Sequence, residues 1–209
     1  MIMSKLFVKI CGLTRAVEAK AIANLGVDAI GMILHANSPR AITVETAREI
    51  RSVVPSNVQL IGVVVNASLE KIQSLVDQIG LDMIQLHGDE NHDFAKQLST
   101  PYIKAIRPRT IAQSENGVNT FSSAEAILID PYVKGKYGGT GHTLRAELWP
   151  TNVSKPLILA GGLDPENVVE RALELKPWGV DLNSGLEIQP GRKSLDKVTR
   201  ALNGLKRLR

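Results

Sequence analysis

The sequence predicts a single (β/α)8 barrel of the TIM type, and three observations point there. Short β-rich runs recur along the whole chain with helical patterns between them, the signature of βα units around a parallel sheet. Eight such runs can be counted, and 209 residues shared among eight give about 26 per unit, near the lower size limit of this architecture. Several runs are apolar without alternation, as strands covered on both faces are. An open doubly wound sheet would usually carry a glycine-rich nucleotide fingerprint in its first βα turn, and none stands there.

The elements follow in order. LFVKI (6–10), AIGMIL (29–34) and LIGVVV (60–65) read as the first three strands. After the third, Ser68 can cap a helix whose Leu69, Ile72, Leu75, Val76 and Ile79 form one apolar stripe, and Gly80 supplies the stop. MIQL (83–86) and YIKAI (102–106) are the fourth and fifth strands, and the stretch 107–123 is a weak helix holding Pro108, Asn116 and Gly117. AILID (126–130) is the sixth, and beyond GGTG (138–141) there is room for only a short helix. PLILA (156–160) is the seventh. Asp164 and Pro165 then form a cap and first turn before Val168, Val169, Ala172 and Leu173. WGVDL (178–182) is the eighth strand, and Ser194 precedes a last stripe of Leu195, Val198, Leu202 and Leu205. With no Gly/Ser-rich linker, residues 1–209 read as one domain.

Composition excludes several classes. At 44% hydrophobic and 22% charged residues, the chain can bury a substantial core and is neither disordered nor fibrous. Its apolar runs are too short to cross a bilayer, and MIMSKLFVKIC has no long apolar segment after its lysine, so neither a membrane nor a targeting role is expected. The single cysteine, Cys11, cannot form an internal disulfide, which suits a reducing cytoplasm. The 25 basic and 21 acidic residues leave +4. Much of that excess sits at Lys206, Arg207 and Arg209, read as a solvated helix end, and 4% aromatic residues are too few for a base-stacking platform. Nucleic acid is therefore not an expected partner; a small anionic substrate is.

In a barrel of this kind, function belongs to the residues just after the strands. Cys11 follows the first, Arg40 lies in the loop after the second, Gln85 is near the end of the fourth and Asp130 closes the sixth. All four point toward one mouth. A thiol there suits a general base if cationic groups bring its pKa toward neutrality, and Lys9 and Arg40 are candidates. Asp130 ends the apolar run AILI and suits a carboxylic acid that donates a proton. GGTG (138–141), AGG (160–162) and NSG (183–185) can each offer backbone N–H groups to an anion, and the last two follow strands seven and eight, where barrels frequently hold phosphate. His87, Asp89, Glu90 and His92 match no usual zinc spacing and read as a βα turn with helix-start acids, so no metal is expected. His35 and His142 read as solvated loop residues.

KICGLT (9–14), NSPR (37–40), QLHGDE (85–90), LID (128–130), GGTG (138–141), LAGGLDPENV (159–168) and GVDLNSGLEIQPGRK (179–193) resemble, in order, the motifs of the phosphoribosylanthranilate isomerase family. The resemblance spans nearly the whole chain. It implies a (β/α)8 barrel that performs an Amadori rearrangement in tryptophan biosynthesis, converting N-(5-phosphoribosyl)anthranilate to 1-(2-carboxyphenylamino)-1-deoxyribulose 5-phosphate without cofactor or metal. Carried over residue by residue, it makes Asp130 the general acid and Cys11 the general base. It gives Arg40 the anthranilate carboxylate, Gln85 and Asp181 the positioning of substrate, and Gly161, Gly162, Ser184 and Gly185 the phosphate. The chain departs from the family's pattern in LRAELW after GGTG, and at Leu34, Asn183 and Ser194.

Two other readings stand beside this one. One is the histidine-pathway isomerase, or a barrel accepting both substrates; those relatives resemble one another in having aspartate where Cys11 stands here. The other is a non-catalytic barrel that binds a phosphorylated metabolite. The sequence is equally compatible with a monomer and a homodimer.

Overall fold

The structure is a computed structural model that describes residues 5–133, 142–151 and 153–209. Eight parallel strands close into a barrel in chain order, β8 returning to pair with β1. They are β1 (Phe7–Cys11), β2 (Ala29–Ile33), β3 (Gln59–Val64), β4 (Met83–Leu86), β5 (Tyr102–Ile106), β6 (Ala126–Ile129), β7 (Leu157–Leu159) and β8 (Gly179–Leu182). Each falls within one residue of its predicted bounds. One shift matters: Cys11 is the last residue of β1, in register with Gly31, rather than the first residue beyond it.

Parallel strands alternate side chains between two apolar environments, and the sequence fills both. Val8, Ile10, Ile30, Met32, Leu60, Ile84, Ile127, Leu157, Val180 and Leu182 point outward into the core beneath the helices. Ala29, Ile61, Ile103, Ala105, Ala126, Leu128, Ile158 and Ala160 point inward and fill the barrel with dry side chains. Among the described residues, the inward side chains are therefore apolar and packed at the lower levels and polar toward the C-terminal mouth.

The helical layer comprises α1 (Ala16–Ala23), α2 (Val44–Val53), α3 (Leu69–Ile79), α4 (His92–Ala95), α5 (Ile111–Thr120), α6 (Val168–Leu175) and α7 (Leu195–Leu205). The Ser68 hydroxyl accepts from Lys71 N at 3.2 Å, and Gly80 ends α3 in the left-handed conformation at φ 74°. Ser194, one of the departures from the family pattern, likewise caps α7 by accepting from Lys197 N. The weak stretch does form α5, because Gly117 leaves room for Ile106, whose Cδ1 would lie 3.0 Å from an added Cβ. Asp164 accepts from Glu166 N and Asn167 N, but α6 begins a turn later, and Leu173 and Leu195 are exposed rather than part of their stripes. The segment after GGTG holds one 3-10 turn, Ala146–Leu148, while GGTG itself lies outside the described residues. Arg209 is no solvated end: it donates to Asp28, which also accepts from Lys5 and Val8 N and ties the chain terminus to the barrel floor.

The sequence reading did not anticipate the ribbon beyond β8. A 3-10 turn, Ser184–Leu186, leads into an antiparallel pair, β9 (Glu187–Gln189) and β10 (Arg192–Lys193). It lies over the β1–α1 loop, where the Thr14 hydroxyl donates to Gly191 O, and Glu18 of α1 accepts from Arg192 Nε and Lys193 N.

Candidate active site

Strand periodicity selects the site. Lys9 and Cys11, Gln85 and His87, Leu128 and Asp130, and Gly179 and Asp181 each stand two residues apart, so each pair shares the inward face. Lys9, Cys11, Gln85, His87, Asp130 and Asp181 are all buried. Three of their polar atoms, Gln85 Oε1, His87 Nε2 and Asp181 Oδ1, have no hydrogen-bond partner among the described residues. Buried polar groups are seldom left so, and their concentration at the barrel mouth marks a place built for something else to bind.

The first cluster surrounds the thiol. Lys9 Nζ donates to Asp181 Oδ2 at 2.9 Å. Gly31 makes the space, since a Cβ there would fall 2.6 Å from Cys11 Sγ and 3.1 Å from Lys9 Cε. Burial works against the Lys9 charge, but Asp181 and the Cys11 sulfur more than offset it, so the ammonium is held above its ordinary range. Burial pushes the Asp181 carboxyl upward, with Lys9 pulling the other way. Burial also dominates at Cys11, raising the thiol despite Lys9 and Lys193, while Asp181 adds to the rise. This corrects the sequence expectation: Lys9 faces the sulfur, yet the resting thiol is not brought toward neutrality.

The second cluster surrounds Asp130. His87 Nε2 lies 3.4 Å from Asp130 Oδ2, and His87 Nδ1 lies 2.8 Å from Gln85 Nε2. Sequence reasoning named Gln85 and left His87 in a turn. The signal that finds it is period two, because His87 continues the inward face that Gln85 begins. Glu90 is also not a helix-start acid: it is buried, accepting from Lys104 Nζ at 2.7 Å, Gly88 N at 2.9 Å and Asn66 N at 2.8 Å. Asn91 instead caps α4, its Oδ1 accepting from Phe94 N.

The third cluster was missed by sequence apart from Arg40. Glu187 grips the Arg40 guanidinium with both oxygens, at 2.9 Å from Nε and 2.8 Å from Nη2, and accepts from Lys193 Nζ at 2.9 Å. Lys193 also donates to the side chain and carbonyl of Asn183, another departure from the family pattern. Burial would raise the Glu187 carboxyl, but Arg40 and Lys193 outweigh it and hold it below the usual carboxylate range. Five N–H donors on a guanidinium less two leave the Nη1/Nη2 fork for an outside carboxylate.

The loops after β7 and β8 meet. Gly161 and Gly162 both have positive φ, 90° and 57°. A Cβ on Gly185 would sit 2.1 Å from Leu163 O, so the two loops pack backbone to backbone and bring Gly161, Gly162, Ser184 and Gly185 together. Neither glycine N–H at 161 or 162 is bonded among the described residues.

Comparison with known proteins accords with this geometry. The profile of the family described as N-(5'phosphoribosyl)anthranilate (PRA) isomerase matches residues 8–203. An N-(5'-phosphoribosyl)anthranilate isomerase of Pseudomonas fluorescens is 40% identical over 204 residues, covering 98% of this chain and all of that one. The crystal structure of a phosphoribosyl anthranilate isomerase from Thermus thermophilus superposes with a TM-score of 0.87 at 33% identity, covering 98% of this chain and 100% of that one. Another isomerase, solved in complex with reduced 1-(o-carboxyphenylamino)-1-deoxyribulose 5-phosphate, has a TM-score of 0.85 at 30% identity over 96% of this chain and 98% of its own.

Proposed function

The chain belongs to the N-(5'-phosphoribosyl)anthranilate isomerase family, and we propose that Asp130 and Cys11 perform its acid–base chemistry. The reaction is the Amadori rearrangement of the aminoaldose phosphate to the aminoketose phosphate, a step of tryptophan biosynthesis. The observation that carries the assignment is a buried carboxyl faced by His87 Nε2 and a buried thiol beside Lys9, both on the inward face at the C-terminal barrel mouth.

Asp130 gives its proton to the furanose ring oxygen. The C1–O bond breaks as the anthranilate nitrogen lone pair moves in, leaving a cationic Schiff base. Cys11, in its thiolate form facing the Lys9 ammonium, then removes the C2 proton; the C–H electron pair forms the C1=C2 bond as the C1=N π pair returns to nitrogen, which gives an enolamine. Protonation at C1 and loss of the proton from the C2 hydroxyl deliver the ketone. The Schiff base is the electron sink, so no cofactor enters the sequence of steps. Because the resting thiol is raised by burial, the base works best with the substrate's cation already in place.

Binding divides among three groups. The outer fork of Arg40 takes the anthranilate carboxylate, the role its planar donors suit. Gln85 Oε1 and Asp181 Oδ1, both unpartnered, accept from the sugar hydroxyls. Gly161, Gly162, Ser184 and Gly185 offer backbone N–H groups to the phosphate.

The test follows turnover by loss of anthranilate-type fluorescence, with phosphoribosylanthranilate generated in situ. Wild type turns over; Cys11→Ala loses about 10²–10⁴-fold in kcat with little change in KM. Wild-type rates in Cys11→Ala would remove the thiol from the mechanism. No turnover by folded wild type would return the histidine-pathway substrate to consideration.

A further inference from the structure

We infer that His87 is a positioning residue for the acid: Gln85 fixes its tautomer and aims its Nε2–H at Asp130 Oδ2, so that in the substrate complex this contact closes and the transferable proton sits on Oδ1. The inference rests on Asp130 being the acid, and it begins from two contacts. Gln85 Nε2 is an amide nitrogen, a donor only, and it stands 2.8 Å from His87 Nδ1. With the amide in this orientation, Nδ1 accepts. A neutral imidazole has one N–H, so that proton is on Nε2, the atom that faces Asp130 Oδ2 at 3.4 Å.

The opposite tautomer is chemically wrong for this site. It would put a bare Nε2 lone pair against Oδ2, tolerable only if Asp130 turned its proton toward the histidine and away from the mouth. With N–H on Nε2, the histidine supports the negative charge that grows on Asp130 as it releases its proton. At 3.4 Å the contact is longer than a closed hydrogen bond, and Nε2 forms no hydrogen bond among the described residues. Resting acid–base contacts are often long in this way and tighten when substrate is bound.

The surroundings hold His87 in place from both sides. Its backbone N–H donates to Val64 O. The next residue is pinned twice: Gly88 N donates to Glu90, and Gly88 O accepts from Lys104 Nζ at 2.8 Å. Any side chain on Gly88 would strike Asn66, whose Oδ1 would be 2.3 Å from the new Cβ. A buried ion pair, Lys104 with Glu90, thus fixes the turn that aims one imidazole. Such rigid support is what a proton-transfer geometry requires.

Imidazole nitrogen NMR of protein labelled with 15N-histidine reads the tautomer without substrate, and the His87 signal is the one lost in His87→Gln. Wild type is expected to show a protonated Nε2 and a bare Nδ1. Gln85→Met, which removes the clamp, should show both tautomers and a kcat lower by about tenfold to a hundredfold; any KM rise reports the lost Oε1 acceptor separately. His87→Leu should lose at least as much kcat with KM nearly unchanged, and His87→Gln, whose amide N–H can reach Oδ2, should recover part of it. A protonated Nδ1 in wild type, or a His87→Leu protein with full kcat and only a raised KM, overturns the inference. Absence of turnover by folded wild type overturns the isomerase reading and this inference with it, whatever the tautomer.

Discussion

Replacing Glu187 by glutamine removes one charge and leaves the shape, so it isolates what the carboxylate does. In the native chain Glu187 accepts from Arg40 Nε at 2.9 Å, Arg40 Nη2 at 2.8 Å, Lys193 Nζ at 2.9 Å and Gly191 N at 3.2 Å. A glutamine oxygen can keep Arg40 Nε, Lys193 and Gly191, but its NH2 then points a donor at the donor on Arg40 Nη2. Two buried cations lose their carboxylate. Breaking a buried ion pair costs about 3–5 kcal/mol, and with three of four contacts kept the lower end applies, about 3 kcal/mol. For a chain of this size, that lowers Tm by about 6–12 °C. The loss depends on pH with a definite sign. The folded carboxyl titrates below its unfolded value, so its stabilisation is complete above the ordinary glutamate range and disappears as pH falls through the folded pKa. Thermal unfolding of both proteins at neutral pH and in acid should therefore show a gap that narrows in acid. A neutral-pH difference below about 1 kcal/mol, or a gap that stays constant into acid, would refute the reasoning. Since Arg40 loses its alignment, KM should rise in the same variant.

The other expectations are simpler. Arg40→Ala should raise KM with kcat nearly intact in the fluorescence assay; an unchanged KM with reduced kcat would contradict a carboxylate clamp. Carboxamidomethylation of native Cys11, followed by mass spectrometry, should stay slow until pH passes above the ordinary thiol range, because burial raises the thiol, and Lys9→Met should delay it further. Fast labelling at neutral pH would contradict this. Gly185→Ala forces a Cβ to within 2.1 Å of Leu163 O, so the loops must separate; steady-state kinetics should show KM raised about tenfold or more, with inorganic phosphate a weaker inhibitor.

The positions of the strands were legible because a parallel barrel asks each strand for a local property, a short β-rich apolar run, and the chain supplies eight. Ser68 with Gly80, and Ser194, were legible for the same reason: caps act within one turn of their own position. Cys11, Arg40, Gln85 and Asp130 could be placed at one mouth from chain order alone, since every strand of such a barrel ends on the same face. The sequence did not determine which groups would touch. Glu187 meets Arg40 across 147 residues, and Lys9 meets Asp181 across 172. Such pairings follow from strand register and barrel closure, which no local window contains. The thiol's ionisation is decided in the same way: a neighbouring lysine suggested a lowered pKa, but desolvation by the closed barrel outweighs one adjacent charge. His87 lies between the two cases. Its inward direction is written in the period of its strand, while its approach to Asp130 exists only once β4 and β6 curve around the same axis.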